Sequence, residues 1–247
     1  MLYSGHQSIP GGGFGPGGTY SGKTFDESGA KSSDLTDQQV EFLTKDNLRH
    51  VLITSVESPE VAAIWNNNAQ ELVEGLGLGI PVNNSTDPRH QAASDAEYTL
   101  GAGGDISRWP GSIGLAASFD PELVRQFGEI ASIEYRALGI STALSPQVDL
   151  ATDPRWSRFS GTFGVSPELS TDMARAYIEG FQTSSFEKEI GSGWGYESVN
   201  AMAKHWPGGG SGEGGRDAHY GFGKFAVFPG ENIQTQMKPF IEGAKLM

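Results

Sequence analysis

Apolar side chains recur at helical spacing in several stretches of the chain, with short apolar runs between them. Val61, Ile64, Trp65, Leu72, Val73 and Leu76 share one helix face, as do Leu123, Phe127, Ile130, Ala131 and Leu138, and again Leu169, Met173, Ala176, Tyr177 and Phe181. Each stretch opens with one device: Ser58-Pro59-Glu60, Asp120-Pro121-Glu122 and Ser166-Pro167-Glu168. The Ser or Asp can cap free N–H groups, Pro fits the first helical position, and Glu suits the positive helix end. Another helix is expected from Thr36, where Gln39 completes a capping box, with Val40, Leu43 and Leu48 inward. Gly75 and Gly139 stand where a left-handed terminating residue is wanted. Near the end, Pro239 interrupts a helical pattern, so the helix is expected to begin there, with Phe240, Ile241 and Leu246 inward.

Apolar runs of strand length fall at 50–56, 80–83, 140–150 and 199–206, and a first strand fits 2–4. Strands that alternate with helices imply a parallel sheet covered by helices. Polar residues cluster just after the runs: Asn83 to Asp87, Asp149 with Asp153-Pro154-Arg155, and Lys204-His205. Barrel enzymes place their chemistry at the C-terminal strand ends, which favours a (β/α)8 TIM-type barrel over an open sheet. The chain carries about five of the eight βα units that closure needs, so the barrel is expected to be incomplete. No linker is visible, so residues 1–247 read as one partial barrel domain with no second domain.

Thirty acidic against seventeen basic residues give a formal net charge of -13, which repels phosphate backbones and anionic membrane surfaces. Nucleic acid and membrane are therefore not expected partners, and no apolar run reaches the ~18 residues of a spanning helix. Met1 is followed by neither a basic patch nor a long apolar stretch, so no targeting segment is expected. With no cysteine there is no disulfide or thiolate, and the compartment stays open, export to the periplasm or the medium included. Glycine, 35 of 247 residues, concentrates in 11–18 and 208–215, which predicts two long loops of the kind that line sites.

Lys204 and His205 end a strand and run into the second glycine loop, where both can bond several oxygens of a polyhydroxyl or anionic ligand. A surface lysine beside a core histidine is the plainer alternative, and a Schiff-base lysine of an aldolase-type barrel is a third. In Asp153-Pro154-Arg155-Trp156-Ser157-Arg158 the arginines can grip ligand oxygens beside an aromatic wall, or instead tie down Asp149 and Asp153. Asp87, just past a strand, can accept from two ligand hydroxyls, although Asp-Pro is also an ordinary turn start. Asn83 and Asn84 both open N-x-S/T sequons, yet so close to a strand end they are expected to point into the structure. In Asp217-Ala218-His219 a carboxylate two residues from an imidazole can orient it for proton transfer. No HExxH-type spacing, phosphate loop or dinucleotide fingerprint occurs, so no metal or cofactor is expected.

The segments GIP…D (79–87), FDPELVRQFGEIASIEYRALGI (119–140), LSPQVDLATDPRWSRFSGTFGVSPEL (144–169) and AKHWPGGG (203–210) resemble, in order and spacing, the N-terminal barrel domain of family-three glycoside hydrolases. The resemblance covers roughly residues 49–246. It implies a retaining, exo-acting β-glycosidase of β-glucosidase type acting on carbohydrate, with Asp87, Arg158, Lys204 and His205 holding hydroxyls of the terminal sugar. The family nucleophile is an Asp in an S/T-D-W motif, and none occurs in this sequence. The chain is accordingly expected to be a fragment, inactive by itself, whose partner is the C-terminal remainder of the enzyme. Asp217 and His219 match the acid/base dyad of the β-N-acetylglucosaminidase branch across a longer loop, which leaves that activity as an alternative. A non-catalytic carbohydrate-binding relative is another.

Overall fold

The computed structural model describes residues 2–4, 18–54, 56–91, 106–183 and 194–247, so most of the first glycine-rich stretch lies outside the described residues. The chain gathers into two compact units, one of 1–90, 94–108 and 134–142, the other of 91–93, 109–133 and 143–247.

In the first unit, β1 (Leu2–Ser4), β2 (His50–Ile53) and β3 (Asn83–Thr86) run parallel, with Tyr3 opposite Leu52 and Leu52 opposite Ser85. The helices are α1 (Phe25–Ser28), α2 (Asp37–Thr44) and α3 (Pro59–Glu74). The predicted capping box forms: Thr36 Oγ1 accepts from Gln39 N and Gln39 Oε1 accepts from Thr36 N. Ser58 Oγ caps α3 by accepting from Val61 N. Leu43, Trp65, Ala69 and Val73 fill the interior, while Val40 and Ile64 prove exposed. They lie at the margin of each apolar stripe, and Leu43 and Trp65 take the buried places.

β3 lies at 83–86 rather than at 80–83. Backbone groups of 80–82 are taken by side chains instead of a ladder: Arg49 Nε donates to Ile80 O, and Gln70 both accepts from Val82 N and donates to Val82 O. The strand that does form is polar and buried at Asn84, Ser85 and Thr86. Its hydroxyls find partners on β2, Ser85 Oγ donating to Val51 O and Thr86 Oγ1 to Ile53 O. Asn84 Nδ2 donates to Asn66 Oδ1 and Gly139 O, so its sequon asparagine points inward as expected. Gly139 has the expected left-handed backbone, but Gly75 is right-handed (φ -65°) and the reversal waits for Gly77 (φ 73°). The Gly75 N–H still finds Glu71 O, which prolongs the helical turn past it.

The second unit is built on α4 (Ser112–Ala116), most of α5 (Pro121–Ala137), α6 (Pro167–Gln182) and α7 (Ile233–Ala244). Asp120 Oδ1 accepts from Glu122 N and Leu123 N, and Ser166 Oγ from Leu169 N, as their sequence signature predicts. An aromatic core joins them: Tyr177 stacks on Phe181 with ring centroids 4.7 Å apart, and Phe127 meets both edge-on or tilted. Ile130 faces outward, because Phe127 and Ala131 fill the inner positions of its stripe.

α7 starts six residues before Pro239, contrary to the sequence expectation. Its buried face, Gln236, Pro239, Phe240 and Gly243, packs on α6, and this packing offsets the hydrogen bond that proline cannot give. Ile241 is exposed because Phe240 occupies the inward direction.

β4 (Thr142–Ala143) is only the start of the predicted 140–150 strand, and β5 (Asn200–Ala201) only the start of 199–206. Beyond them the two segments stay side by side in parallel: Met202 N donates to Ser145 O, Lys204 N to Pro146 O and Val148 N to Lys204 O. Pro146, after a cis peptide bond, has no N–H to continue a regular ladder.

Candidate active site

The pairing of 143–150 with 200–204 carries both segments to a common end at Asp149 and His205. Asp149 is fully buried, although it sits in an otherwise apolar run. Its Oδ2 accepts from His205 Nδ1 at 2.8 Å, both oxygens accept from His205 N at 3.1 Å, and Oδ1 accepts from Gly209 N at 2.7 Å. The second glycine run is legible in these contacts. A Cβ at Gly210 would lie 2.1 Å from Leu150 O and one at Gly209 2.9 Å from Asp149 Oδ1, so only glycine lets the loop close over the strand end.

Arg158 reaches the far side of the same imidazole: its Nη1 lies 3.1 Å from His205 Nε2, and its Nη2 donates to Gln147 Oε1 at 3.4 Å. Arg158 and His205, two predicted ligand residues, are thus brought together. Lys204 precedes His205 across a cis peptide and is half-buried. Asp149 does not tie down an arginine, as one reading of the sequence had it. Asp153 does so, pairing with exposed Arg155 at 2.6 Å, and the Arg155 side chain holds the Asp153 carboxyl down at about 2.

The Asp217–His219 dyad also forms. Buried Asp217 accepts from His219 Nδ1 at 2.6 Å and from His219 N at 2.9 Å, while the imidazole itself is about half exposed. A further donor was not foreseen: Trp156 Nε1 reaches Asp217 Oδ2 at 2.7 Å, which ties the D-P-R-W turn to the D-x-H turn. Burial alone would raise the Asp217 carboxyl, but the His219 and Trp156 hydrogen bonds outweigh it and hold it below the usual carboxylate range. Such a group orients His219 rather than giving up a proton itself.

Asp87 lies in the first unit, half-buried, where β3 ends. Buried side chains of that unit shape its turn. Arg89 Nε donates to Thr86 Oγ1 at 2.7 Å and its Nη2 to Ile53 O at 2.7 Å, while the Tyr135 hydroxyl accepts from Arg89 N. His90 Nε2 lies 2.7 Å from Glu134 Oε2, and Glu134 also accepts from Ser107 N and Oγ. Arg89, His90 and Glu134 carry no signal in the sequence alone, since an Arg-His pair after Asp-Pro has no periodicity. No cluster of side chains suited to a metal ion occurs among the described residues, and none of their helices is long and apolar enough to cross a membrane.

These clusters lie where parallel segments end, and comparison with known proteins assigns the fold to a family. Residues 25–243 match the glycosyl hydrolase family 3 N-terminal domain. The chain belongs to that family. It is 41% identical over 223 residues to a periplasmic β-glucosidase/β-xylosidase of Dickeya chrysanthemi, covering 90% of this chain and 32% of that protein. It is 42% identical over 200 residues to β-glucosidase C of Emericella nidulans, covering 81% and 31%. The chain thus spans about a third of the length of these curated relatives. Among solved structures, a family 3 β-N-acetylglucosaminidase from Paenibacillus sp. str. FPU-7 superposes with a TM-score of 0.69 at 22% identity, over 85% of this chain and 36% of that one. A β-glucosidase from Erythrobacter marinus gives a TM-score of 0.63 at 28% identity, over 78% and 24%. The fold is therefore a (β/α) barrel of this family, present in part, as the alternation of elements implied.

Proposed function

We propose that this chain is the sugar-gripping portion of a retaining, exo-acting β-glycosidase that releases terminal β-D-glucosyl residues from oligo- or polysaccharides. The observation that carries the reading is the Asp149–His205–Arg158 array at paired strand ends, in the family's own D-P-R-W-x-R and K-H-W-P-G motifs. Arg158 and Lys204 bond ring hydroxyls of the terminal sugar, His205 serves that grip by holding the Arg158 guanidinium through Nε2, and Asp87 is assigned to sugar binding on its motif alone. Relatives at 41–42% identity named as β-glucosidases support the glucosyl preference, and the periplasmic one supports export. Retention requires a nucleophilic and an acid/base carboxyl about 5–5.5 Å apart. In this reading the nucleophile is not among these 247 residues, in which S/T-D-W does not occur.

A second reading, β-N-acetylglucosaminidase, is favoured by one contact, the 2.6 Å bond from His219 Nδ1 to Asp217. There the half-exposed imidazole is the acid/base and Asp217 its orienting partner. Rates of the natural polypeptide on aryl β-glucoside, β-xyloside and β-N-acetylglucosaminide separate the readings. Preference for the glucoside supports the first and preference for the acetylglucosaminide supports the second. Sugar binding without turnover of any of them would leave a carbohydrate-binding relative.

A further inference from the structure

The geometry points to Asp149 as a positioning residue that fixes the tautomer of His205 and, through it, the place of Arg158. This deepens the proposed sugar-binding role of those two residues and rests on it. The argument follows the protons. A guanidinium only donates, so His205 Nε2, 3.1 Å from Arg158 Nη1, must offer its lone pair. The single imidazole proton then sits on Nδ1, where the Asp149 carboxylate receives it at 2.8 Å. Each end of the ring has one productive role, and the acceptor at Nδ1 decides both.

The same carboxylate leaves no room for an amide in its place. Its oxygens take His205 N and Nδ1 on one side and Gly209 N, at 2.7 Å, on the other. In Asp149→Asn, an NH2 turned toward Gly209 would face a donor. Turned toward His205, it would face Nδ1 and drive the proton to Nε2, where it meets the donating Arg158. Both orientations set donor against donor, and relief requires a changed tautomer or displacement of Arg158. The effect follows from hydrogen-bond direction and not from volume, since Asp and Asn are nearly isosteric.

The test is long-range 1H–15N correlation of the imidazole nitrogens in 15N-histidine-labelled chain at neutral pH, with His205 assigned by its loss in His205→Gln. The expected wild-type pattern is a protonated Nδ1 and an unprotonated Nε2. Asp149→Asn should shift His205 toward Nε2–H, while near-UV circular dichroism stays unchanged. Arg158→Ala should leave Nδ1–H in place, because the carboxylate sets it. A wild-type Nε2–H tautomer, or a tautomer that follows Arg158→Ala, overturns the inference. Should Asp149→Asn fail to fold, the wild-type and Arg158→Ala spectra still decide. Titration with cellobiose is a separate arm. Wild-type binding that weakens at least tenfold in folded Asp149→Asn supports the role in sugar binding. No wild-type binding would fail the proposed subsite while leaving the tautomer assignment standing.

Discussion

At the scale of single residues, the chemistry of this chain rests on buried polar groups whose partners lie far away in sequence. Trp156 and Asp217 are 61 positions apart, yet Trp156 Nε1 donates to the carboxylate at 2.7 Å. Trp156→Phe keeps the ring and removes the donor, so it should cost about 1.5–3 kcal/mol, the range for a bond to a charged group, in urea unfolding at pH 7. An unchanged midpoint and slope would show that water replaces the indole. His90 gives a pH signature. Burial pushes its pKa below the ordinary value, and the Glu134 hydrogen bond only partly opposes this. The unfolded chain therefore takes up a proton on His90 first as pH falls. Stability should be full above the unfolded histidine pKa and decline as pH drops from there toward the lower folded value. Urea midpoints at pH 7.5 and 5.5 measure the decline, and His90→Gln should flatten it; an equal slope in the variant would assign the decline elsewhere. In the natural polypeptide, Asp87→Asn should lower kcat/KM at least tenfold, about 1.4 kcal/mol of transition-state binding, with little change in Tm.

At the scale of elements, helices and strands were unequally legible. Helix starts depend on a few adjacent residues, and Ser58, Asp120 and Ser166 cap where their local pattern says they should. Strand β3 could not be read in this way. Asn84, Ser85 and Thr86 have neither apolar character nor alternation, and what makes them a strand is pairing with β2 and hydroxyl bonds to its carbonyls. Pro239 misled for the complementary reason, since packing on α6 outweighs a local helix breaker. Of the candidate site, Arg158, Lys204 and His205 stand out in the sequence as strand-end polar residues, whereas the pairing of Asp149 with His205 is hidden because a hydrogen bond across 56 residues leaves no local trace. The crossing of α5 and α6 was equally hidden. A Cβ on Gly180 would lie 2.4 Å from Arg125 O and 2.9 Å from Gly128 Cα. Gly180→Ala gains ~1 kcal/mol of helix propensity in isolation. Here overpacking should win, with a net loss of about 1–3 kcal/mol in chemical denaturation. A stabilised variant would mean that the two helices part without penalty.

At the scale of the whole molecule, recognition and bond cleavage make different demands on the chain. Holding a sugar requires donors and acceptors at fixed places, which in the proposed reading the Asp149–His205–Arg158 array supplies. Cleaving a glycoside with retention requires in addition a carboxylate able to attack the anomeric carbon and form a glycosyl ester. The carboxylates beside these clusters are committed elsewhere. Asp149 is saturated by His205 and Gly209, and Asp217 by Trp156 and His219, while Asp153 is drawn to Arg155. Releasing Asp149 or Asp217 for attack would break buried bonds that hold a neighbouring loop, and releasing Asp153 would break its ion pair with exposed Arg155. The 247 residues by themselves should therefore bind cellobiose and release no nitrophenol from aryl β-glucoside. The experiment needs near-UV circular dichroism to establish folding, then calorimetric titration with cellobiose beside the hydrolysis assay. Turnover by the folded chain, lost in Lys204→Ala, would place a working nucleophile inside this sequence and overturn the division of labour argued from its carboxylates.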